Sequence, residues 1–207
     1  MDKIRAVAFV LFATGLCSGV IPAGSYAAQA EHGGKGKSGT CTVDYSGSYD
    51  WGNVDVSGFH SISPNYLGDA PAVRLHVKCA EPTVFALRFS SDYSAPGGMP
   101  HFFGMAPHNG GSPGGYRLFV VGEPSADGKQ TAIVRREDGR WLGYSNLDGV
   151  RPEMVIGFIT NGKSPHAIEE ATVDLKASGQ GSPSNELPPN NGHIHFHGTV
   201  KVTLEYL

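Results

Sequence analysis

His193-Ile194-His195-Phe196-His197-Gly198-Thr199-Val200-Lys201-Val202-Thr203-Leu204-Glu205-Tyr206-Leu207 is the stretch that decides the fold class. Side chains of a β-strand alternate between two faces. Ile194, Phe196, Val200, Val202, Leu204 and Tyr206 therefore share one face, and His193, His195, His197, Thr199, Lys201, Thr203 and Glu205 the other. An apolar face of this length needs a core to cover it. The pattern predicts a long strand that ends inside a sheet, with Val200, Val202, Leu204 and Tyr206 as its strand-pairing residues.

Working back from this strand, the chain reads as β throughout. Its 29 glycines and 14 prolines are turn formers, only 17 % of its residues are charged, and no stretch sustains an amphipathic helical period. Strands are predicted over 41–45, 51–56, 73–79, 84–89, 116–121, 130–136, 140–145, 153–160 and 171–177. Three Asp-Gly pairs, Asp127-Gly128, Asp138-Gly139 and Asp148-Gly149, mark turns between them. The Gly- and Pro-rich stretch 94–115 reads as a long surface loop pinned by Met99, Phe102, Phe103 and Met105, and 178–192 as a linker into the last strand. Short strands at roughly ten-residue spacing predict an all-β antiparallel sandwich, in one domain over 41–207.

The other end sets the compartment. Lys3 and Arg5 precede an apolar run from Ala6 to Val20, and Ala28-Gln29-Ala30 follows as a small-x-small cleavage site, which predicts a signal peptide over 1–30. Cys17 follows Leu16, where a lipidation site wants a small residue. The next residues, Glu31-His32-Gly33-Gly34-Lys35-Gly36-Lys37-Ser38-Gly39, contain nothing apolar, so 31–40 is predicted to be a flexible segment. The expected location is the periplasm, the cell surface or the medium, with no membrane insertion, because no later run has the length of a membrane span. Cleavage removes Asp2, Lys3 and Arg5 and shifts the formal net charge from −3 to −4, and no Lys/Arg cluster points to nucleic acid.

Cleavage also leaves an even pair of cysteines, Cys41 and Cys79, whose simplest state in an oxidising compartment is a disulfide. Such a bridge is worth roughly 4 kcal/mol by the chain-entropy argument. The rival use of the pair, as metal ligands or catalytic thiols, lacks the close C-x-x-C spacing.

Little else reads as chemistry. His193, His195 and His197 lie two strand steps apart, about 6.5 to 7 Å, close enough for adjacent imidazoles to share Zn²⁺ or Cu²⁺. Met99, His101, Met105 and His108 form a second group whose thioethers suit copper. Against this stands the plain reading, a solvated strand face and loop anchors. Gly110-Gly111-Ser112-Pro113-Gly114 formally matches a nucleophile elbow, but Pro113 has no N–H for an oxyanion hole. The sequence predicts no enzyme. Trp51, Tyr66, Tyr93, Phe102, Phe103, Trp141 and Tyr144 supply enough aromatic surface for a glycan-binding module, although sandwich cores use the same residues.

The order of elements resembles a known family. A first strand with Cys41, then Gly52 and Val54, then Val73-Leu75-Val77-Cys79, then 84–89 resembles the N-terminal half of chaperone-usher pilins, and the apolar last strand with penultimate Tyr206 resembles their other signature. Phe103-Gly104-Met105, Gly115-Tyr116, Ala126-Asp127-Gly128, Trp141 and the closing Gly198-x-Val-x-Val-x-Leu-x-Tyr-Leu are similar to an uncharacterised proteobacterial exported family whose members often accompany fimbrial chaperones and ushers. The resemblance implies an immunoglobulin-like sandwich with an incomplete sheet, completed by a strand from a periplasmic pilus chaperone and then from a neighbouring fimbrial subunit. It implies a structural or adhesion role at a pilus tip or in a minor subunit. The 31–39 segment has no alternating apolar residues to donate, so the chain is expected to accept a strand and not to give one. The alternatives are a free-standing periplasmic protein binding Zn or Cu through His193, His195, His197, His101 and His108, and a glycan-binding module.

Overall fold

The computed structural model describes residues 40–147 and 149–207. The predicted signal peptide, nearly all of the predicted flexible segment, and Asp148 lie outside the described residues. Within them the chain forms no helix. The strands are β1 (Cys41–Asp44), β2 (Ser48–Asp55), β3 (Asn65–Asp69), β4 (Val73–Thr83), β5 (Phe85–Ser90), β6 (Phe103–Gly104), β7 (Gly114–Ala126), β8 (Lys129–Gln130), β9 (Ala132–Glu137), β10 (Arg140–Gly143), β11 (Val155–Ile159), β12 (Ile168–Gly181), β13 (His193–Thr199) and β14 (Lys201–Tyr206).

They make an all-β antiparallel sandwich, as the sequence predicts. The larger sheet runs β1-β4-β12-β7-β6, with β3 also on β12 and β8 also on β7; the second runs β10-β9-β11-β5-β14; β13 and β2 form a two-stranded ribbon. Leu75 and Val77 of β4, Val173 and Leu175 of β12 and Leu118 of β7 face Leu87 and Phe89 of β5, Ile156 and Phe158 of β11 and Leu204 of β14 in one buried core. Cys41 and Cys79, directly paired across β1 and β4, are joined by the predicted disulfide.

The inner face of β12 tapers toward the ribbon, through Val173, Leu175, Ala177, Gly179 and Gly181. The taper makes room. A Cβ on Gly179 would lie 2.6 Å from Trp51, one on Gly181 2.6 Å from Phe59, and one on Gly198 of β13 2.3 Å from Tyr116. Tyr116 in turn packs against Tyr49, Trp51 and Phe103 at 5.9, 5.4 and 5.6 Å between ring centroids.

The structure corrects the sequence at several elements. The last strand is two: its alternation persists, with Ile194, Phe196, Val200, Val202 and Leu204 buried and the histidines exposed, but β13 pairs with β2 and β14 with β5. Val200 is the hinge between them, and its N–H donates to the Gly47 carbonyl at 2.8 Å. β12 takes in 178–181 from the expected linker, because glycines suffice where the facing ribbon supplies aromatics. β3 has no counterpart among the expected strands. Asp127-Gly128 and Asp138-Gly139 do turn hairpins, all four residues with positive φ. The third predicted turn includes Asp148, outside the described residues; the strands before and after it, β10 and β11, each pair with β9, on opposite sides, and not with each other.

Candidate functional site

A sheet edge without a strand partner lies along β14. Its partner on one side is β5, in a register running from Lys201↔Ser90 to Tyr206↔Phe85. Leu207 N–H donates to the Val84 carbonyl, which puts 201, 203, 205 and 207 at the hydrogen-bonded positions toward β5. The backbone N–H and C=O groups of Val202, Leu204 and Tyr206 therefore point to the opposite edge. Among the described residues no strand pairs with that edge.

Two contacts frame it. At one end Val200 bonds Gly47, and at the other the Cys41 N–H donates to the Tyr206 hydroxyl at 3.2 Å. Both bonds tie β14 to the segment containing β1, an edge strand of the larger sheet. Between these ties, among the described residues, no ladder joins β14 to β1. Val202 and Leu204 are only 6 % and 2 % exposed, main chain included, so this edge lacks a strand partner but is itself covered. On the outer face Lys201 pairs with Asp92 and Glu205 with Arg88.

The predicted histidines lie on the exposed face of the ribbon. His193, His195 and His197 stand opposite Asp55, Asn53 and Asp50 of β2. A bulge interrupts the register between Phe196 and His197, where Gly52 adopts φ +74° and Trp51 is the extra residue. The bulge brings the rings of His195 and His197 to 5.0 Å. His195 Nε2 lies 2.8 Å from Asp50 Oδ1, which also accepts from the Gly52 N–H at 2.7 Å. The Gly52 bond first, and the two imidazoles after it, hold the Asp50 carboxyl below its ordinary value. No sequence signal identifies Asp50 as this partner, because the pairing spans 145 residues.

The second histidine group does not assemble. Met99 and Met105 are buried in the core, whereas His101 is exposed in the loop before β6. His108 Nε2 accepts from the Asn109 side-chain amide, which also donates to the Pro189 carbonyl. Among the described residues no group of three or more His, Cys, Asp or Glu is arranged to hold a metal ion. Ser112 of the formal elbow donates to the Gly114 carbonyl two residues on.

The aromatic residues are dispersed too. Phe103 is fully buried, Trp51 packs on Gly179, and Trp141 sits against Gly157, whereas Tyr66 is 67 % exposed on β3. Compared with known proteins, the chain matches no family model, no curated protein and no solved structure.

Proposed function

We propose that this protein is an exported fimbrial-subunit-like component, structural or adhesive and not catalytic, that accepts a β-strand from a partner along the free edge of β14. The partner class is a periplasmic pilus chaperone and then a neighbouring subunit delivered by an usher. One observation carries the reading: β14, free of proline, has β5 as its one strand partner, so the main-chain groups of Val202, Leu204 and Tyr206 on its other side join no ladder and face the chain segment tied there by Val200 and Tyr206. An edge of this kind is a template for strand addition. Six residues give about 20 Å of ladder. The disulfide and the order of the first strands support the same reading, as does the Tyr206 hydroxyl that closes one end of the edge. Because Val202 and Leu204 are already covered, a donated strand takes the place of the segment tied there by Gly47 and Cys41 and gains chiefly main-chain hydrogen bonds, at roughly 0.5–1.5 kcal/mol each.

The test is periplasmic co-expression with a fimbrial chaperone, followed by amide exchange. The chaperone is expected to copurify, and the amides of Val202 and Leu204, which have no strand partner in the free protein, to slow at least tenfold in the complex. A stable monomer that never binds the chaperone, with exchange at β14 unchanged, overturns the proposal.

A further inference from the structure

The outer face of the larger sheet carries a hollow of about 260 Å³ lined by Phe102, Arg117, Phe119, Ser178 and Gln180. It is far from accidental in construction. Gly115 lets the loop before β6 fold onto the sheet: a Cβ there would meet Phe102 Cβ at 2.9 Å and Ala95 Cβ at 3.2 Å. Phe102 thereby becomes one wall. Phe119, two residues beyond Arg117 on the same face of β7, forms another, and its ring edge would be met by a Cβ on Gly149 at 3.4 Å. Ser178 of β12 stands directly opposite Arg117, and Gln180 stands between Gly115 and the exposed Tyr66 of β3.

Arg117 is what makes the hollow a receptor. Its guanidinium lies over the Phe102 ring, Cζ 4.5 Å from the centroid, and its Nε is buried with no acceptor. No carboxylate pairs with it among the described residues. Its neighbours on this face are matched: Lys176 holds Asp69 at 2.7 Å, and Arg74 holds Asp174 at 2.8 Å. A guanidinium backed by an aromatic ring and lacking an acid is built to receive a planar carboxylate. The volume falls just below the roughly 300 Å³ at which sites for drug-sized ligands begin, which selects a single ring.

We propose that this hollow binds the carboxylate-bearing ring of an acidic saccharide, a hexuronic acid unit. Arg117 pairs with the carboxylate, the Gln180 amide and the Ser178 hydroxyl take ring hydroxyls, and Phe102 and Phe119 bracket the apolar C–H edges. The site shares no residue with the edge of β14, so strand acceptance and saccharide binding stand or fall separately.

Ligand-observed saturation-transfer NMR on the folded protein tests it, with glucuronate and galacturonate as probes and glucose, galactose and acetate as controls at matched ionic strength. The uronates are expected to show saturation transfer that the neutral sugars and acetate lack. Arg117→Gln is expected to weaken uronate binding at least tenfold, and Arg117→Lys, which keeps the charge but loses the fork, by an intermediate factor. Gln180→Ala, on a half-exposed position, provides a second variant expected to weaken binding severalfold without unfolding. Silence of both uronates, equal transfer to acetate, or uronate binding unchanged in both Arg117→Gln and Gln180→Ala overturns the proposal.

Discussion

Single residues set the tightest limits on this fold. Gly47 combines φ +60° with a position where a Cβ would lie 2.1 Å from the Val200 carbonyl oxygen; Gly198 lacks the strained backbone but would drive its Cβ into Tyr116; Gly52 has φ +74° and open space. Replacing each by alanine should therefore rank in cost as Gly47, then Gly198, then Gly52. Overpacking at Gly198 is worth about 1–3 kcal/mol, and the left-handed backbone at Gly52 about 1–2 kcal/mol. Urea midpoints of the three variants check the order. The tyrosines give a pH signature. Burial pushes the Tyr49 and Tyr116 phenols well above their ordinary value, and the Tyr49 hydroxyl, donating to the Leu175 carbonyl, accepts from Tyr45 at 2.8 Å. The folded chain thus keeps protons that the unfolded chain releases. The stability these groups contribute is whole below about pH 10 and falls as pH rises above it toward the folded values. The fall in urea midpoint from pH 9 to 11 should be shallower in Tyr49→Phe and Tyr116→Phe than in the parent, and equal slopes would refute the assignment.

At the scale of elements, β14 is the strand on which the second sheet depends at one edge. Deleting 204–207 removes Leu204, Tyr206 and three of the six pairings with β5. Burial of those two side chains is worth roughly 3–5 kcal/mol, a large part of the 5–15 kcal/mol that holds a domain together. The truncated chain is expected to be degraded by protease in periplasmic extracts under conditions that leave the parent intact; equal resistance would mean that the strand is dispensable. The strands with strong alternation, β4, β5 and β14, were legible in the sequence because burial on one face leaves a period-two trace. β3 and the 178–181 end of β12 were not. Asn65-Tyr66-Leu67-Gly68-Asp69 has no alternation, and Gly179 and Gly181 bury a face that carries no side chain. The break at Val200 was equally hidden, since parity continues unchanged from β13 into β14 while the partner strand changes. For the candidate site, Val202, Leu204 and Tyr206 could be read from one strand. The Asp50–His195 contact and the hollow around Arg117 could not, because each is made by pairing between distant strands.

For the molecule as a whole, the disulfide is compatible with export, and the architecture adds a constraint of timing. The partners of 193–206 are β2 and β5, which precede them by more than a hundred residues. A chain emerging from its amino end has to carry Phe85, Leu87 and Phe89 with one side of β5 unpaired, and the Trp51 ribbon strand alone, until those last strands arrive. Contacts of such long sequence separation form slowly and leave sticky intermediates. The period between release of β5 and arrival of β14 is a window in which a foreign strand can occupy the place of the chain's own, and it closes only when the last residues of the fold are in hand.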